Sequence, residues 1–233
     1  MPPVNFVGVL SGDLVKSSHR NAKRSAIMSG LSRAVEASGN YLKDHHCQLY
    51  FSDFYRGDAF QCALTDPRYL LWTAIFIRTE LIKLRADKVD ADVRLGMGFG
   101  SASAWNPRNI TSSDGEAFRL SGKALDTMKS GKEKYRRLRI LSPRPEEDSR
   151  FSILAVFIDA LMQRWTPEQA AAMSLFLRDK SQGEISKRFD VKQPAVQGRL
   201  QKAGHFAIKE GLELFMQMVA GRHISPQANN PGL

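Results

Sequence analysis

The sequence predicts an α+β protein in two parts, a mixed domain over residues 1–142 and an all-helical domain over residues 150–223. Three features carry that prediction. Before Pro143, short β-prone runs alternate with longer segments whose apolar residues recur at helical spacing. After Phe151 the apolar pattern is helical throughout, with helix-starting residues at Thr166, Ser181 and Pro194. Between the two lie Pro143, Pro145 and the acidic run Glu146-Glu147-Asp148, a polar break that suits a domain boundary.

The elements of the first part follow in order. Val4, Phe6, Val7, Val9 and Leu10 form a buried strand that is expected to stop at Ser11-Gly12-Asp13, where glycine permits a turn. A helix from near Ser18 to Ser38 places Ile27, Leu31, Ala34 and Val35 on one face. Two β-prone stretches, residues 48–55 and 59–64, meet across Arg56-Gly57-Asp58, which is a hairpin signal. Asp66 as N-cap and Pro67 in the first turn start an apolar helix that runs through Leu84. Residues 93–99 are the next strand, Asp114 caps a helix to about Met128, and residues 134–141 suit an edge strand.

The first six elements have the order of a ferredoxin-like β-α-β-β-α-β unit. In such a sheet the first and third strands are antiparallel neighbours, so the end of one adjoins the start of the other. Asp13 and Asp58 are therefore expected to meet at one sheet edge. Gly96, Gly98 and Gly100 alternate along a strand, which suits close backbone approach to a ligand or a neighbouring element.

In the second part, Thr166-Pro167-Glu168-Gln169 supplies an N-cap, a first-turn proline and a capping-box partner. Ser181 caps a shorter helix containing Ile185 and Phe189, Asp190-Val191 makes a tight turn, and Pro194 opens the next helix. On that helix Val196, Leu200 and Ala203 share one face, and Gln193, Gln197 and Gln201 share another. One face packs and the other can read. Glutamine pairs with adenine in the major groove, and base contacts concentrate at the N-terminal end of a recognition helix, which makes Gln193 and Gln197 the base-reading candidates. Lys187, Arg188, Lys192, Arg199 and Lys202 suit phosphate contacts, with Gln201 on the same exposed side. Residues 224–233, rich in Pro, Asn and Gly, are expected to form a flexible tail.

The totals narrow the partners. Lysine and arginine exceed aspartate and glutamate by ten, which favours a polyanion such as nucleic acid or nucleotide phosphate. Most of that excess, +8, lies before Pro143 and only +2 after it. Cys47 and Cys62 are too few for a disulfide framework and point to a reducing, cytoplasmic setting. Residues 4–10 have no basic leader, and no run is long enough for a membrane span.

Two resemblances sharpen this picture. Ser181-Gln182-Gly183-Glu184-Ile185-Ser186 and Val191-Lys192-Gln193-Pro194-Ala195-Val196 resemble the helix-turn-helix of regulators and of sigma-factor region four, with Gly198 where a serine is often found. Gly12-Asp13-Leu14-Val15, Arg56-Gly57-Asp58-Ala59-Phe60-Gln61, residues 94–100 and Gly115-Glu116-Ala117-Phe118 occur in the order seen in the SatD family. The same blocks are more distantly similar to the palm of class III nucleotidyl cyclases and GGDEF cyclases. That similarity implies Asp13 and Asp58 as Mg²⁺ ligands beside a nucleotide. It also places Arg119 and Lys123 at positions that contact ribose and phosphates, both changed in type. Arg56 and Ala59 depart from the GGDEF signature.

The sequence thus leads to a DNA-binding transcriptional regulator with an N-terminal domain for nucleotide sensing or dimerisation. Its expected partners are double-stranded DNA, a nucleotide and a second copy of itself. The alternatives are a Mg²⁺-dependent nucleotide-processing enzyme using Asp13 and Asp58, and a non-catalytic interaction adaptor.

Overall fold

A computed structural model describes residues 5–15, 21–55, 58–130, 133 and 135–221. Val4, Ser18, Arg56, Gly57, Lys134 and the whole of the expected tail lie outside the described residues. The chain forms β1 (Asn5–Leu14), α1 (Asn21–Asp44), β2 (Leu49–Tyr55), β3 (Ala59–Leu64), α2 (Leu70–Lys83), β4 (Val93–Ala104), β5 (Asp114–Gly115), α3 (Glu116–Lys129) and β6 (Leu138–Leu141). Five helices follow: α4 (Asp148–Met162), α5 (Pro167–Phe176), α6 (Gln182–Phe189), α7 (Gln193–Ala203) and α8 (His205–Ala220). The mixed α+β class expected from the sequence is what the chain adopts.

The sheet runs β2, β3, β1, β4, with every neighbour antiparallel. β5 pairs with the end of β4, and β6 lies parallel to its start. Alternation along the strands divides the side chains between two faces. Leu10, Leu14, Phe60, Cys62, Met97 and Phe99 point to one core, beneath α1 and α2; Val7, Val9 and Ala63 point to a smaller one beneath α3. Both cysteines are buried and free. Among the described residues, no helix is long and apolar enough to cross a membrane.

Three local expectations need correction. β1 does not turn at Ser11-Gly12-Asp13 but continues through Leu14, because β3 and β4 both pair with that stretch. Gly12 is needed for a different reason: a Cβ there would lie 2.2 Å from the Phe60 ring. Asp66 caps only a short 3-10 turn at Pro67–Tyr69, accepting from the Arg68 amide at 3.0 Å, and α2 continues from it. Asp114 does not cap α3. It lies in β5, while Gly115 is the N-cap, at φ 151°, pressed so close to β4 that a Cβ would meet the Ser101 carbonyl at 2.4 Å.

The alternating glycines of β4 serve a neighbour. A Cβ on Gly96 or Gly98 would sit 2.4–2.6 Å from the backbone of α3 at Ala117, Ser121 or Leu125. The helix therefore lies directly on the sheet backbone, and the strand positions that looked suited to a ligand are closed.

The helices after Pro143 join the larger core. One cluster of buried side chains runs from Leu10 and Phe99 through Phe151 and Ile158 to Val196 and Phe215. Phe99, Phe151 and Phe215 meet with ring centroids 5.4–6.3 Å apart. Trp72 of α2 donates to the Leu177 carbonyl at 2.9 Å. Arg78 of α2 is wholly buried; it donates to Asp92 at 2.9 Å and to Asp159 of α4 at 2.6 Å. Asp159 also accepts from the Arg137 amide at 2.7 Å. An enclosed charge network thus ties the sheet part to α4.

Candidate nucleic-acid interface and carboxylate edge

The α6–α7 pair is shaped by its ends. Ser181 and Glu184 form a reciprocal capping box at the start of α6, and those hydrogen bonds hold the exposed Glu184 carboxyl down at about 2. Asp190 ends α6 in the left-handed conformation, φ 51°, and the Val191 amide donates back to the Ser186 carbonyl at 3.1 Å. Asparagine and aspartate tolerate that conformation better than other side chains. α7 then starts at Gln193 with Pro194 in its first turn. At its far end Gly204 is left-handed, φ 74°, and Trp165 donates to the terminal Ala203 carbonyl at 2.9 Å.

These constraints fix which flank of α7 faces water. Val196, Leu200 and Ala203 are fully buried, with Ile185 of α6 beside them in the same core. Gln193, Gln197 and Gln201 are exposed, as are Lys187, Arg188, Lys192 and Lys202. Arg199 is half-buried, its guanidinium 5.7 Å from the centre of the Phe189 ring, an arrangement that steadies a cation. A Cβ on Gly198 would meet nothing within 4 Å. The result is an amide-bearing helix flank ringed by cations, able to offer hydrogen bonds to base edges and charge to phosphates.

A second cluster forms where β1 ends. Asp13 stands opposite Ala59 on β3 and opposite Arg94 on β4, and the neighbouring Leu14 amide donates to the Asp58 carbonyl at 3.3 Å. The sheet thus brings Asp13 and Asp58 together, as the strand order implied. Two cations attend them: Lys129 Nζ lies 3.5 Å from Asp13 Oδ2 and Arg94 Nη1 lies 3.7 Å from it. Burial raises the Asp13 carboxyl above its ordinary value, Lys129 opposes the rise, and Asp58 adds to it.

The other two residues read as nucleotide contacts do not join this edge. α3 runs back along β4, so Arg119 lies near the opposite end of that strand, ten residues or about 15 Å of helix from Lys129. It pairs with Asp114 at 2.9 Å. Lys123 is exposed midway along α3.

Asp13 is shared with Lys129 and Arg94, so a divalent ion there would compete with both cations. Mg²⁺ is usually held by one or two carboxylates together with water and substrate phosphates, and Asp13 already faces an ammonium and a guanidinium. Among the described residues no group of three or more His, Cys, Asp or Glu side chains could hold a metal. Arg94 and Lys129 escaped the sequence reading because they approach Asp13 only through the β1–β4 register and the end of α3. The buried Arg78 escaped it as well, since in sequence it is one cation in an apolar helix.

Comparison of the chain with protein-family models and with curated proteins gave no match, so its function rests on the geometry just described.

Proposed function

We propose that the chain is a DNA-binding transcriptional regulator of the SatD type. In this reading α6 and α7 form a helix-turn-helix that enters the major groove, Gln193 and Gln197 read bases, and Lys187, Arg188, Lys192, Arg199 and Lys202 contact phosphates. Gln201 lies farther along the same flank. The sheet part is a ferredoxin-like, palm-like domain that responds to a small ligand and pairs with a second copy in the cytoplasm. One observation carries the reading: α7 is held by a buried valine, leucine and alanine and turns its glutamines to solvent. Recognition helices share that division of labour.

Fluorescence anisotropy with short duplexes tests it, starting at low salt. The protein should bind duplex DNA of any sequence weakly and its own site more tightly. The Gln193→Ala/Gln197→Ala double variant should lose about 1–3 kcal/mol of discrimination per base contact while keeping non-specific binding. Failure to bind any duplex at low salt ends the proposal. Lys129 and Arg94 beside Asp13 count against the Mg²⁺-dependent alternative, and incubation with nucleoside triphosphates and Mg²⁺ should yield no product.

A further inference from the structure

Five large apolar side chains are exposed among the described residues, and four of them lie on two neighbouring helices: Ile153 and Phe157 on α4, Phe206 and Leu214 on α8. Apolar residues scattered singly over a surface are ordinary, whereas a shared apolar face marks a contact. Phe157 and Phe206 are 67% and 71% exposed, so most of each ring stands in water.

The two helices run antiparallel, side by side. Phe151 meets Phe215 with ring centroids 5.8 Å apart, a Cβ on Gly211 would lie 3.1 Å from Leu154, and one on Gly204 would lie 3.3 Å from Leu161. Residue numbers therefore fall along α8 as they rise along α4. At about 100° per residue, Ile153 and Phe157 stand next to Leu154, the residue that turns toward Gly211. By the same rotation Phe206 and Leu214 flank Glu210 on the side of α8 that borders this seam. A groove of about 480 Å³ lies along the seam, lined by Leu154, Ala207, Gly211 and Leu214. The bare side chains thus form one face and not two.

Charge and area both point to the occupant. Arg150 and Arg164 are exposed along the apolar stripe of α4, and Glu210 is exposed along that of α8. None of the three is ion-paired among the described residues, while Glu213 beside them holds Lys209 at 3.8 Å. Laying α4 of one copy on α8 of another sets the basic stripe against the acidic one and apolar residues against apolar residues, so the face is complementary to itself. The four bare side chains expose roughly 400–500 Å², already the size of the largest patch on an ordinary monomer. With Leu154, Leu161, Ala207 and the stems of the two arginines, the face approaches the roughly 800 Å² per partner of a standard interface.

We infer that the α4–α8 face pairs with the same face of a second copy of the chain, the two antiparallel helix pairs closing into a four-helix bundle. The inference does not depend on the DNA-binding reading. It places self-association on the helical part, whether or not the sheet parts also touch.

Sedimentation equilibrium of the full chain from about 1 to 100 µM tests the face, since interfaces of this size hold with micromolar affinity or tighter. The protein should self-associate reversibly. Phe157→Glu and Phe206→Glu, both at exposed positions, should each raise the dissociation constant roughly tenfold or more, with an unchanged circular dichroism spectrum and thermal midpoint. Glu210→Arg, which alters only the acidic stripe, should weaken association roughly threefold or more. Lys123→Glu, exposed on α3 at the other face of the sheet, should leave it unchanged. A chain that stays single across the whole range would overturn the assignment and leave the face to a different molecule. An assembly whose mass is the same in both phenylalanine variants and in Glu210→Arg would overturn it too, by putting the contact elsewhere. Because mass is read without DNA, neither result bears on the duplex binding that tests the regulator reading.

Discussion

At the scale of single residues, the same amino-acid type serves opposite ends according to what stands above it. Gly96 and Gly98 are closed in by the backbone of α3, whereas Gly198 has open space around its Cα hydrogen. Gly198→Ala should therefore relieve the entropic cost of glycine within a helix and stabilise the protein by about 0.5–1 kcal/mol. In a thermal melt that is a rise of about 1–4 °C, and a fall would show that the backbone there is not ordinary helix. Arg78 is the contrary case, a cation whose removal leaves two carboxylates enclosed. Arg78→Met should cost about 3–5 kcal/mol in urea unfolding, a large part of a typical domain's stability. A cost below about 1 kcal/mol would mean that Asp92 and Asp159 find water or other partners.

Among the elements, α6 and α7 were the most legible. Their caps, turn and buried stripe are all local, spaced within a few residues, and the structure places them at the expected positions. Their exposed cations make a further prediction. Because each phosphate neutralised releases counterions, Lys192→Ala and Lys202→Ala should each reduce the slope of log affinity against log salt by about 0.9 without changing base preference. An unchanged slope would remove that lysine from the interface. The sheet elements were legible in number and order but not at their ends. β1 and β4 each outrun the stretch their apolar pattern marks, because hydrogen bonds from two neighbours hold residues that local preference would release to a turn.

On the scale of the whole molecule, the acid stability of the protein should depend on groups in both parts. Burial alone would raise the Asp92 carboxyl, yet Arg78 and the Val93 amide bring it below its ordinary 3.8. Glu184 is held at about 2 against an ordinary 4.5. Carboxyls depressed in the folded state add stability above their ordinary values and lose it as pH falls through the folded ones. Urea unfolding should therefore show stability falling below about pH 4.5, and Asp92→Asn should flatten part of that fall. The raised Asp13 acts in the opposite direction and offsets some of the loss. A stability that held constant from neutral pH into that range would contradict the ion-pair network.

The sequence by itself determined the class of fold, the order of strands and helices, the caps of the C-terminal helices and the outward face of α7. Each of these depends on periodicity or on side chains bonding their own backbone a few residues away, and such information is local. Tertiary structure alone decided that Lys129 and Arg94 would neutralise Asp13, that Arg119 would lie a helix length from it, and that the Tyr41 hydroxyl would donate to Asp179. Those contacts join residues up to 138 positions apart. Which side chains meet at such distances is set by strand register and by the packing of helices on both faces of the sheet, neither of which any short stretch of sequence contains.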